Sequence, residues 1–124
     1  MQDASPRHFD FSGCLIEWRG PSPFHFVPVP PPIAPSLREA AKGYSYGWGV
    51  VPVVASITGA GGARAVYATS LFPRDGTFLV PFKDKARRFL DVTVGDCVMV
   101  LLNLRRGSAS STIELFRPRA GEGG

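Results

Sequence analysis

Between frequent glycines and prolines, the apolar residues of this chain recur mostly at every second position, the period of a half-buried strand. In HFDFSGCLIEW (8–18), Phe9, Phe11, Gly13 and Leu15 fall on one face and Asp10, Ser12, Cys14 and Ile16 on the other, which predicts a strand partly covered on both sides. After a GPSP turn, FHFVPVP (24–30) stays extended. Pro28 and Pro30 confine it to a sheet edge or a strand end, because proline cannot donate to a ladder. VVPVVASIT (50–58) and ARAVYATSLF (63–72) flank GAGG, a connector of the kind that closes a hairpin. PRDG (73–76) reads as a turn with Pro73 at its first central position and Gly76 free to become left-handed, after which TFLVPF returns as a strand.

The period changes to that of a helix twice. PPIAPSLREAAKG places Ile33, Leu37, Ala40 and Ala41 on one side, so a short helix is expected from about Pro35 to Lys42, with Gly43 at its C-terminus. In FKDKARRFL, Phe82, Ala86, Phe89 and Leu90 form an apolar stripe, while Lys83, Asp84, Lys85, Arg87 and Arg88 take the remaining surface. Asp84 lies near the helix start and four residues before Arg88, which suits both the dipole and an ion pair. VTVGDCVMVLLNL turns at Gly95-Asp96 into an alternating strand, and STIELF (111–116) reads as one more. These elements predict a mainly β domain over residues 1–116, a small closed or nearly closed β-barrel with two short helices, because closure removes exposed edges. Residues 117–124, RPRAGEG and a final glycine after it, are expected to be a disordered tail.

Composition narrows the class. At 124 residues, 44% hydrophobic and 19% charged, the chain is long enough to bury a core without a metal or disulfide staple. Its longest apolar runs fall well short of the roughly 18 residues of a bilayer helix, and no signal segment opens it, so a cytoplasmic protein with no membrane partner is expected. Cys14 and Cys97 lack metal-ligand spacing and read as a pair of buried thiols. The formal charge of +4 makes polyanions conceivable partners, although Arg105, Arg106, Arg117 and Arg119 cluster toward the C-terminus, where a loose tail would carry them.

The order GCLIEWRGPSPFHFVPVP, YGWGVVPVVASI, TSLFPRDGTFLVPFKDKARR and VGDCVMVLL, over about residues 9–104, resembles the domain-of-unknown-function family DUF1905. The resemblance implies a small closed β-barrel and brings no established activity. Family members tend to carry tryptophan two residues before the TSL element, where this chain has Tyr67, and the GAGGAR loop (59–64) is longer than usual. Strand, proline, basic helix, Gly-Asp and strand is also the order in swapped-hairpin and double-psi barrels, where helix and turn are structural parts.

No catalytic set is evident. His8 and His25 are the only histidines, GxSxG is absent, and GAGGAR lacks the GK[ST] of a phosphate loop, so no cofactor is expected. The sharper candidate is aromatic. Tyr44, Tyr46 and Trp48 alternate in YSYGWG and, with Trp18 and Tyr67, could line a cleft for a small molecule or peptide, Thr69 and Ser70 supplying hydrogen bonds and Lys83 and Arg87 the rim. Core packing of a small barrel explains the same aromatics. The alternatives are a nucleic-acid-binding accessory protein using the basic helix and the C-terminal arginines, and an enzyme using Tyr67 or His25 as proton donor.

Overall fold

The computed structural model describes residues 8–19, 23–44, 51–106 and 112–118. Along the chain these form β1 (His8–Cys14), β2 (Ile16–Arg19), β3 (Pro23–Pro28), α1 (Ala34–Ala41), β4 (Val51–Thr58), β5 (Arg64–Arg74), β6 (Thr77–Pro81), α2 (Asp84–Leu90), β7 (Cys97–Leu104) and β8 (Glu114–Phe116). The strands pair in the order β1-β7-β4-β5-β6-β3-β2, all antiparallel, with β8 on the first residues of β5.

Two bent segments curl the sheet. Residues 8–14 pair with β7, and after Leu15 residues 16–19 pair with β3. Likewise Arg64–Leu71 pairs with β4 and Phe72–Arg74 with β6. Alternation then puts Val98, Val100, Leu102 and Leu104 inside and Cys97, Met99, Leu101 and Asn103 outside. Phe9, Phe11, Leu15, Val27, Val53, Ile57, Tyr67, Leu71 and Val80 complete the inner face.

The domain is mainly β with two short helices, as expected, and its sheet is a strongly curled half-barrel that stays open, not the closed barrel that removing every edge would give. The two ends of the sheet are β1 and β2, and β1 also meets β3. There Gly13 approaches so closely that an added Cβ would sit 2.5 Å from Val27 Cγ1 and 3.2 Å from the Pro28 carbonyl. Pro28, at the end of its strand, has no N–H to donate, so van der Waals contact takes the place of a ladder.

Both helices form where the periodicity places them. On α2, Ala86 and Leu90 are buried together with Phe82 just before it, Phe89 is half-buried, and Lys85 and Arg88 are exposed. The stripe docks on the sheet and those two cations face water. The helix stops on Asp91 in the left-handed region (φ 56°), whereas α1 ends on Lys42 with helical geometry and needs no left-handed Gly43. The 73–76 turn differs from expectation: Pro73 and Arg74 stay in β5, and Asp75 (φ 52°) and Gly76 (φ 82°) form the two-residue turn that matches strand twist. Gly95 is left-handed (φ 97°) at the expected turn, and the Asp96 carboxylate accepts from the Thr93 N–H (2.9 Å) and hydroxyl (3.1 Å).

The cysteines are not buried thiols. Cys14, last in β1, faces Cys97, first in β7, and both are exposed and joined as a disulfide. Strand alternation decides this: Cys14 follows the inward Gly13 and Cys97 precedes the inward Val98, so both point out.

Candidate functional site

The register collects aromatic residues on the outer face of β2, β3, β6 and the end of β5. Trp18 lies opposite Phe24 and Ile16 opposite Phe26; Phe26 then faces Pro81, and Leu79 faces both Pro28 and Phe72. Because Val27 and Val29 must point into the core, Phe24 and Phe26 point away from it. Phe24 is 57% exposed, Phe72 45% and Trp18 40%, so three of the largest apolar side chains in the chain are left to water on one patch. Burying such a side chain is worth about 1.5–3 kcal/mol, and a contiguous exposed group of them marks a contact surface. The Phe26 and Phe72 rings meet edge to face at 6.4 Å, and the Arg74 guanidinium lies 3.8 Å from the Trp18 ring centre. Together with Pro73 and Leu79 these residues enclose a groove of about 320 Å³.

Phe24 and Phe26 are also walls of a second depression of about 350 Å³, completed by His25, Pro81, Phe82, Lys83 and Asp84. Here the chemistry is polar. The mostly buried His25 ring lies between Glu17 and Asp84, with one ring nitrogen 3.9 Å from each carboxylate. Arg87 (3.6 Å) and Arg88 (3.9 Å) converge on the same Asp84. Apolar walls and charges of both signs therefore adjoin across two phenylalanines.

The structure divides the predicted aromatic cleft. Trp18 lines the outer groove, but Tyr67 belongs to the core, 2% exposed, with its hydroxyl donating to the Pro81 carbonyl at 2.7 Å. Burial raises its pKa, so the proton stays on the oxygen and on that bond, a poor position for a proton donor. Tyr44 is half-buried after α1 beneath the Arg106 guanidinium (4.4 Å). Tyr46 and Trp48 lie outside the described residues. Thr69 and Ser70 are half-buried on β5, opposite Val53 and Pro52, with Thr69 on the face of Tyr67. Lys83, 5.3 Å over the Tyr67 ring, lines the second depression, and Arg87 meets Asp84 there.

Phe24, Phe26, Phe72 and Arg74 were not among the predicted site residues, although the alternation of FHFVPV, with valines inside, carries the signal for the first two. The C-terminal arginines are not loose as far as they are described. Arg105 Nε donates to the Val53 carbonyl (3.1 Å), Arg106 stacks on Tyr44, and Arg117 lies 4.8 Å over Phe89. Arg119 and the residues after it lie outside the described residues. Among the described residues no group of three His, Cys, Asp or Glu side chains could hold a metal, and no helix is long and apolar enough to cross a membrane.

No curated protein matches the chain. The family DUF1905, a domain of unknown function, matches residues 11–102, which span β1 from Phe11 through most of β7 and hold every residue of the groove; the chain belongs to that family.

Proposed function

We propose that this protein is a non-enzymatic binding module whose contact surface is the outer groove of Trp18, Phe24, Phe26, Phe72 and Arg74, and which takes an apolar or aromatic group of a small molecule or short peptide. The observation that carries this reading is the exposure of three large aromatic side chains on one sheet face, although the same fold buries their neighbours Phe78 and Phe82 almost fully. Aromatic walls with one cation are the ordinary composition of a site that takes a flat or apolar group and orients it by one polar contact. Phosphate binding by the basic helix has less support, since Arg87 and Arg88 both share Asp84. Ligand-observed NMR with a set of small aromatic acids and short apolar peptides tests the proposal. Compounds that bind are expected to lose contact with Phe24→Ser and Trp18→Ala, while both variants keep the wild-type fold. Binders indifferent to both substitutions, or a set in which nothing binds at millimolar concentration, would overturn it.

A further inference from the structure

The disulfide stands apart from the groove. Cys14 and Cys97 are the only cysteines of the chain, and they close the end of the β1–β7 ladder in register. Both are exposed, and the neighbouring Asp96 carboxylate is held back into its turn by Thr93, so the bridge is not sealed under other side chains. Exposed disulfides are the labile ones, because exchange begins with a thiolate reaching a sulfur along the S–S axis.

The location is also specific. One residue further on, the strand leaves β7 to join β3. Leu15 there is buried, its N–H donates to the Asp96 carbonyl (2.8 Å), and its carbonyl accepts from the Gly95 N–H (2.9 Å). The bridge thus lies at the seam between the two halves of the bent strand. Cutting it leaves the ladder and both Leu15 hydrogen bonds in place, so the fold persists while the seam loosens.

We propose that Cys14–Cys97 is a redox-reversible clasp, a site of thiol–disulfide exchange with low-molecular-weight thiols of the glutathione type. A thiolate attacks one protein sulfur, the S–S bond breaks, and the other cysteine leaves as a thiolate that takes up a proton. A second small thiol then attacks the mixed disulfide, freeing the second cysteine, so that two small thiols are oxidised to one disulfide as the protein bridge becomes two thiols. Excess small disulfide drives the same steps backward. Because the bridge spans 83 residues of a 124-residue chain, it restricts about two thirds of the unfolded chain, and the reduced protein melts lower by on the order of 10 °C.

The test uses the full chain equilibrated, without denaturant, in buffers of varied ratio of reduced to oxidised glutathione. Acid quench, alkylation and intact mass then report the fraction bridged, and hydrogen exchange reports the seam. Expected are full interconversion across the series with native circular dichroism throughout, and faster exchange at residues 15–19 on reduction with β4 and β5 unchanged. The double variant Cys14→Ser/Cys97→Ser should show the reduced exchange pattern in every buffer. Thiols that never bridge in oxidised glutathione, a bridge that reduces only when the protein is unfolded, or exchange at residues 15–19 indifferent to redox state would each overturn the proposal.

Discussion

Removing a single oxygen from the core, by Tyr67→Phe, separates two contributions of that hydroxyl. At neutral pH the variant loses the 2.7 Å bond to the Pro81 carbonyl and leaves that acceptor without its partner. Such a loss costs about 1.5 kcal/mol, equivalent to about 6 °C in Tm for a domain of this length. The second contribution depends on pH. Burial raises the pKa of Tyr67 in the folded protein, whereas in the unfolded chain a tyrosine titrates near 10. The folded state therefore holds its proton more tightly, and stability from this source is complete below about pH 10 and declines above it by about 1.4 kcal/mol per pH unit. Urea denaturation of both proteins from about pH 7 to about pH 11 gives the difference directly, with lysines and other tyrosines cancelling. Wild type should exceed the variant by about 1.5 kcal/mol up to about pH 9, and the gap should close almost entirely by about pH 11. A gap that stays constant over that range, or a variant as stable as wild type at neutral pH, would refute the assignment of a buried, hydrogen-bonded hydroxyl.

Three further substitutions probe the elements that shape the sheet. Gly13→Ala puts a methyl 2.5 Å from Val27 Cγ1 and 3.2 Å from a backbone oxygen, so thermal denaturation should show a loss of about 1–3 kcal/mol; an unchanged Tm would mean that β1 and β3 are not in contact. Asp96→Ala removes two acceptor contacts to Thr93 and should cost about 1 kcal/mol in urea, with Thr93→Ala in the same background costing little more. Asp91→Asn keeps a residue tolerant of the left-handed region and takes a negative charge off the C-terminus of α2, which should raise stability by about 0.5 kcal/mol at low salt; a loss would show that the carboxylate makes a contact the geometry lacks.

The candidate site was readable only in part. Trp18 belongs to the aromatic set that the sequence points to as a cleft wall, and FHFVP shows that Phe24 and Phe26 share a side. Nothing in one strand says that Phe72 and Arg74, some fifty residues later, come to rest beside them, because that follows from β6 lying between β5 and β3. Tyr67 shows the opposite failure. As an aromatic with a polar end it suits a ligand wall as well as a core, and its place was settled by the Pro81 carbonyl, which offers the hydroxyl a partner inside the sheet. The cysteines failed similarly: each sits one step from a core position, and only the pairing of β1 with β7 brings the two outward positions together.

Local chemistry accounts for the elements themselves. Alternation makes the strands, the i, i+4, i+7 stripe makes the basic helix and lays its apolar side down, and glycine or aspartate at a position of positive φ makes each tight turn, all from residues within one turn or one pleat of each other. Long-range pairing decided the rest: that the sheet curls without closing, with β1 and β2 as its ends; that Cys14 and Cys97 are bonded; and that a row of aromatic rings is gathered on the outside. Those outcomes depend on which strands become neighbours, and neighbours in space are chosen by how the whole chain buries its valines and leucines, a quantity no short window of sequence contains.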